Sequence, residues 1–264
     1  MVESLQVLVV GAGWLGLPLA LALQQAGHEV FVSNRSGQSA AFEAAGLRAL
    51  ALDVDQFLPD LTAYQLVVAS FPPAARGGND ALYAERLQRL CQGLASNCRF
   101  VLVSSTSVYP QAGGVYHENS ETVEEQVVRR GELAVLQHFP EALILRAGGL
   151  AGYDRRIGEH FSGRELADPS QVVNLIHRDD LVRATLHLLH VNAHGYYNLV
   201  APEHPRKAAV YAADLHALDL PPLLLPAEPE QSVPRLISCD KLLETGYRFQ
   251  YPHPLFFSEH EGSA

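Results

Sequence analysis

The chain has 264 residues, 48% hydrophobic and 18% charged, with a formal net charge of -10. That length supports one sizeable core, or one full domain carrying a smaller lobe, and the composition is that of a globular protein. The negative balance excludes a broad basic surface for nucleic acid or anionic lipid, so any anion must be held by a local site.

Residues 6–10, QVLVV, are a β-branched run of the kind buried on both faces of a parallel sheet. They lead into GAGWLG and then LPLALALQQAG, a helix-length stretch ended by Gly27, with a second strand, HEVFVS, behind it. The apolar run Val7–Leu23 is not read as a signal peptide or membrane span, because Glu3 precedes it and the first basic residue is Arg35. A GxGxxG between a strand and a helix is instead a dinucleotide-binding signal. Gly11 permits the tight turn, Gly13 lets a pyrophosphate approach the backbone, and Gly16 lets the helix pack closely. Trp14 and Leu15 lie within the same turn, and the helix amino end offers N–H groups to the phosphates. The second strand ends in Ser33-Asn34-Arg35-Ser36, without the carboxylate that would bind a ribose 2′-hydroxyl. An arginine flanked by polar side chains suits a 2′-phosphate, so NADP is expected over the alternative, NAD.

Strands and helices then alternate. A short helix is expected over 38–45, strands LRALAL and YQLVVAS, a helix over 80–96, the strand RFVLVSS, a helix within 123–139 and the strand ALILR. This rhythm predicts an α/β fold with a doubly wound parallel sheet. Ligands bind beyond the carboxyl ends of such strands. The expected rim therefore includes Asp53, Ser70-Phe71-Pro72, Ser104-Ser105-Thr106 and Ala147-Gly148-Gly149. Past Gly152 the rhythm loosens into VVNLIH, a helix over 179–190, YYNLV, a helix over 208–218, the stretch 221–234 rich in proline, and DKLLETG. The expected division is a dinucleotide-binding domain over 1–152 and a small substrate lobe over 153–264, partly interleaved with it.

Taken together, GAGWLG, Asp53, SSTSVY, LRAGGLAG, IHRDDLVRA, YYNLVAPEHP and DKLLETGYRFQYP resemble the extended short-chain dehydrogenase/reductases, the NAD(P)-dependent epimerase/dehydratase family. The spacing GxGxxG in place of GxxGxxG marks an atypical branch, similar to the bacterial YeeZ-type proteins. The resemblance implies a Rossmann fold, Asp53 on the adenine side, Ser105 in the place of the catalytic Ser/Thr, and pairing of the helices at 80–96 and 123–139 in a homodimer. It also implies a YxxxK pair that this chain lacks. No tyrosine lies between Tyr116 and Tyr153, and the two lysines are Lys207 and Lys241. Arg129 and Arg130 stand near the place of the pair, but a guanidinium keeps its proton near neutrality. Tyr109, or His117 with Glu118, are the candidate replacement donors, and Thr106 stands beside Ser105 as a candidate catalytic residue.

Arg76, Arg155, Arg156 and Arg164 are candidates to grip an anionic small-molecule substrate. His187, His190 and His194 read as the cap of a helix end rather than a metal site, and Asp179-Asp180 as a helix N-cap. Three cysteines without CxxC spacing, Cys91, Cys98 and Cys239, fit a reducing cytoplasm. The functional expectation is an NADP-dependent oxidoreductase or epimerase/dehydratase-like enzyme acting on a small polar substrate. A nucleotide-binding sensor or scaffold without turnover is the alternative.

Overall fold

The structure is a computed structural model, and it describes residues 4–56, 58–73, 82–226 and 233–257. Arg76 lies outside the described residues, as do parts of the 80–96 helix and of the 221–234 stretch. The strands in chain order are β1 (Gln6–Val10), β2 (Glu29–Asn34), β3 (Arg48–Ala51), β4 (Leu66–Ala69), β5 (Arg99–Ser105), β6 (Gly114–Tyr116), β7 (Leu143–Ala147), β8 (Gly149–Ala151), β9 (Leu175–His177), β10 (Gly195–Leu199) and β11 (Arg235–Ile237). The helices are α1 (Gly16–Gln25), α2 (Ala40–Ala44), α3 (Tyr83–Gln92), α4 (Val127–His138), α5 (Arg178–His190), α6 (Lys207–Ala217) and α7 (Asp240–Glu244).

Seven strands form one sheet in the order β10-β7-β5-β4-β1-β2-β3. The pairs β1–β2, β1–β4, β2–β3 and β4–β5 are all parallel, as the alternating pattern requires. Val10 stands opposite both Ser33 and Ala69, and Ala69 opposite Leu102. The carboxyl ends of β1, β2 and β4 are therefore nearly level, and β5 overhangs them through Val103, Ser104 and Ser105.

The chain divides into two compact units: 1–108 with 122–146 and 185–196, and 109–121 with 147–184 and 197–264. In the first, Leu8, Val10, Val67, Ala69, Phe100, Leu102 and Ile144 of the sheet pack with Tyr83, Leu87 and Leu90 of α3 and Val135 of α4. Strand β1 is buried from Val7 to Val10, which explains its unbroken apolar run. Arg99 donates to the carbonyls of Leu189 (3.0 Å) and Ala193 (3.2 Å) at and just beyond the end of α5.

In the second unit β6 pairs with β11 and β8 with β9, both in parallel. Val172 and Val173 of the expected strand VVNLIH instead meet the 205–206 segment, leaving three residues to pair. Ala151, Leu175, Val210, Tyr211, Tyr251 and Phe257 form its core. Asp180, expected as a helix cap, has a different task. Fully buried, it accepts from Tyr247 Oη (2.7 Å), Gln250 N (2.8 Å) and Tyr251 N (2.7 Å), fastening the C-terminal segment to α5. Burial, with Asp180 next in line, raises the Tyr247 phenol above its ordinary range. Asp180→Ala leaves these donors without their carboxylate and is expected to lower the unfolding free energy by about 3–5 kcal/mol. Asp180→Asn, which keeps an acceptor oxygen, should cost distinctly less in the same urea titration.

Candidate functional site

The rim of the first unit is built by the segments that follow β1, β2, β3, β4 and β5. Gly11 has φ +90°, a left-handed conformation that disfavours any residue with a Cβ, and an added Cβ would also stand 2.9 Å from Phe71. At Gly16 an added Cβ would lie 2.3 Å from the Gly11 carbonyl oxygen and 2.6 Å from Ser70 Oγ. Helix α1 can begin so near the turn only with glycine there. At Gly13 an added Cβ would meet no protein atom within 4 Å, so packing does not account for that glycine. Leu15 is buried and Trp14 half-buried beside it. No side chain caps α1, and its first turn carries no acid, which leaves its amino end suited to an anion.

Ser70 lies beside this turn, but its hydroxyl donates to the Gly11 carbonyl (2.8 Å) and so braces it. Phe71 packs edge-on to Tyr83, and Pro72 is exposed. After β2, Asn34 Oδ1 accepts from Gly37 N (2.6 Å) and Ser36 Oγ (3.2 Å), while its amide donates to the Gln38 carbonyl (2.9 Å). Asn34 and Ser36 thus close the turn on which Arg35 projects, with 65% of its side chain exposed. Its guanidinium stands 3.7 Å from Asp53 and 3.6 Å from Asp55. Asp53 Oδ1 accepts from Asp55 N, shaping the loop after β3.

At the end of β5 the hydroxyls point to different tasks. Ser104 is buried and donates to Glu132 Oε1 (2.6 Å). Ser105 is half-buried and accepts from Ser107 N (3.1 Å), an arrangement that leaves its own proton to donate. Thr106 is buried. Tyr109, wholly buried, donates to Asn198 Oδ1 (2.7 Å) within the second unit. That unit also has Glu118 accepting from Asn198 N (2.8 Å), with His117 exposed.

Sequence reasoning missed the group on α4. Glu132 is fully buried and receives Arg146 Nε (3.0 Å) and Nη2 (2.8 Å), Arg129 Nη1 (3.1 Å) and the Ser104 hydroxyl. Arg129 also donates to Tyr196 Oη (2.9 Å), and Arg146 lies over the Tyr196 ring. The i,i+3 spacing of Arg129 and Glu132 was the visible signal; Arg146, itself 1% exposed, comes from strand β7. With both oxygens engaged by two guanidiniums and a hydroxyl, Glu132 is placed as a structural anchor.

The second unit, taken by itself, holds a small cavity lined by Gly152, Arg155, Arg156, Leu175, Asp214 and Phe257 among others. Burial raises the Asp214 carboxyl, whose Oδ2 accepts from Gly158 N (2.9 Å). Arg164 is exposed. His177 is fully buried against Tyr251 and Phe257; Nδ1 accepts from Asp179 N, and Nε2 has no hydrogen-bond partner. Among the described residues no group of three His, Cys, Asp or Glu is arranged to hold a metal ion, and no helix is long and apolar enough to cross a membrane.

A strand, glycine turn and helix within this parallel sheet define a Rossmann-type NAD(P)-binding fold. No protein-family model matches the chain. Protein YeeZ of Escherichia coli K12 is 31% identical over 272 residues, covering 95% of this chain and 97% of its own. A Bacillus cereus UDP-glucuronic acid 4-epimerase, solved with UDP-glucuronic acid and NAD, superposes with TM-score 0.76 at 16% identity and 97% coverage of both chains. The human epimerase family protein SDR39U1, solved with NADPH, gives TM-score 0.71 at 20% identity, covering 98% of this chain and 100% of that one. The chain belongs to the family of the YeeZ proteins, and it shares its fold with solved NAD- and NADPH-bound epimerases.

Burial holds the His177 imidazole below its ordinary 6.5, against the opposing charges of Asp179 and Asp180 and with those of Arg178 and Arg156. Between the folded and unfolded values the unfolded chain binds more protons. The stability contributed by neutral His177 is therefore complete above pH 6.5 and lost as pH falls through the folded value. Urea midpoints taken between about pH 7.5 and 5 should fall more steeply for the unmodified protein than for His177→Gln.

Proposed function

We propose that the protein is an NADP(H)-dependent oxidoreductase or epimerase/dehydratase-like enzyme for a small, polar, anionic substrate such as a sugar nucleotide, working without a YxxxK pair. The observation that carries this reading is the turn 11–16, two of whose glycines are required by the protein's own backbone and packing while Gly13 faces open space. An epimerase with a bound sugar nucleotide and an epimerase-family protein with NADPH share the fold, which supports both the cofactor class and the substrate class.

In this reading the amides of residues 11–16, with Trp14 and Leu15 beside them, and the start of α1 hold the pyrophosphate. Arg35 holds the 2′-phosphate on a turn stiffened by Asn34 and Ser36, and Asp53 faces the adenine side. Phe71 and Pro72 line the cofactor site, Ser70 keeps the glycine turn in shape, and Ser104 ties β5 to Glu132. When bound, the cofactor gives or accepts a hydride. Ser105 would donate a hydrogen bond to the substrate oxygen and orient it; Thr106 supports that turn. The second unit serves as the substrate lobe, with Arg155 and Arg156 the candidate grip on an anionic group.

A hydroxyl that orients a carbonyl is a weak proton donor. Absence of a tuned general acid is worth roughly 10² to 10⁴ in rate, so slow turnover is expected. A second reading, a nucleotide-binding sensor without turnover, is favoured by Tyr109, whose phenol is buried on Asn198.

Quenching of Trp14, the single tryptophan, measures binding directly. NADPH should bind at least about tenfold more tightly than NADH, as a charge-assisted bond of about 1.5–3 kcal/mol implies. Arg35→Ala should bring the two within about threefold by weakening NADPH alone. Consumption of NADPH with any member of a carbonyl and sugar-nucleotide panel, lost in Ser105→Ala, supports the enzyme. Tight binding without consumption across the panel supports the sensor.

A further inference from the structure

We propose that Arg86 and Asp55 set the nucleotide preference of Arg35, with Arg86 acting as a positioning residue that keeps a neighbouring carboxylate from neutralising it. This rests on the reading of Arg35 as the 2′-phosphate ligand.

Three elements meet here: the turn after β2 carries Arg35, the loop after β3 carries Asp53 and Asp55, and α3 carries Arg86. An exposed arginine beside two carboxylates would ordinarily close onto one of them and offer a phosphate little net charge. Here it does not close. Its nearest approaches, 3.7 Å to Asp53 and 3.6 Å to Asp55, are longer than charge-assisted hydrogen bonds. The reason lies on the other side of the acids. Arg86, with only 7% of its side chain exposed, grips Asp55 as a fork, Nε to Oδ1 at 2.7 Å and Nη2 to Oδ2 at 3.2 Å. Its remaining nitrogen donates to the Pro73 carbonyl (3.0 Å), which fixes the guanidinium in place. Arg89 donates to the Val54 carbonyl and holds the same loop from α3. The Asp55 carboxyl lies below its usual range, first through its bond to Arg86, with Arg35 and Arg89 adding smaller effects. Asp53 is restrained separately, because its Oδ1 accepts from Asp55 N (3.1 Å).

Both oxygens of Asp55 are thus engaged by Arg86, and Arg35 keeps a positive charge that a phosphomonoester can claim. Without Arg86, Asp55 needs to move only a fraction of an ångström to bond Arg35. It would then compete with the 2′-phosphate while leaving a nucleotide with a 2′-hydroxyl almost unaffected.

The test is the ratio of NADH to NADPH dissociation constants, read from Trp14 quenching in the full chain. Arg86→Met retains most of the apolar stem volume and removes the fork. It should lower the ratio about tenfold with NADH affinity within about twofold. Asp55→Asn in the Arg86→Met background should restore the ratio, a rescue that a general loss of packing would not give. Asp55→Asn alone removes a negative charge near the phosphate site and should raise the ratio about threefold, increasingly so at low salt; this arm decides the matter if Arg86→Met does not fold. An unchanged ratio in Arg86→Met, failure of the double variant to restore it, or a lowered ratio in Asp55→Asn overturns the proposal. If the unmodified protein shows no NADPH preference, the reading of Arg35 fails instead.

Discussion

The site depends on one close approach. Helix α1 begins against the Gly11 carbonyl and the Ser70 hydroxyl at a separation that any side chain at position 16 would break. Ser70 donates to that same carbonyl, and β4, which it directly follows, pairs with β1. The sheet register therefore reaches into the turn. Because β1, β2 and β4 end level, the amides after β1, the arginine after β2 and the acids after β3 are delivered to one rim. Each part is ordinary; their alignment comes from buried, parallel β-branched strands that cannot slip without exposing apolar surface.

A second constraint lies deeper. Helix α4 carries a buried carboxylate, Glu132, held by Arg146 and Arg129 and by the Ser104 hydroxyl. Such a group is costly to desolvate and costly to unpair, which makes it a source of rigidity at the ends of β5 and β7. The chemistry available on this rim is correspondingly narrower. Ser105 retains a proton to donate, whereas Ser104 has its own committed to Glu132.

Local patterns made much of this legible in the sequence. QVLVV followed by GAGWLG and a helix-length apolar stretch identifies β1, its turn and α1 because strand period, glycine spacing and helix length all fall within a short window. Arg35 stood out for the same reason, in a segment without the expected carboxylate. What escaped reading depends on partners far apart in sequence. Asp180 looks like a helix cap until residues 247–251 arrive to bond it, and nothing local marks Arg99 as the donor to the Leu189 carbonyl at the end of α5. The ladders β6–β11 and β8–β9 are only three residues long, too short for a period-2 pattern to register. Arg86 is one of several charges on an amphipathic helix, and only the fold shows that it faces Asp55.

The central claim is that the turn at 11–16 is shaped for a diphosphate and not merely for its own packing. Position 13 separates the two, because an alanine methyl there meets no protein atom and the backbone is not left-handed. Gly13→Ala should keep the thermal midpoint within about 2 °C of the unmodified protein, in line with a surface change, while weakening NADPH binding by at least about tenfold, or 1.4 kcal/mol. Unchanged NADPH affinity in a folded Gly13→Ala protein would contradict the account.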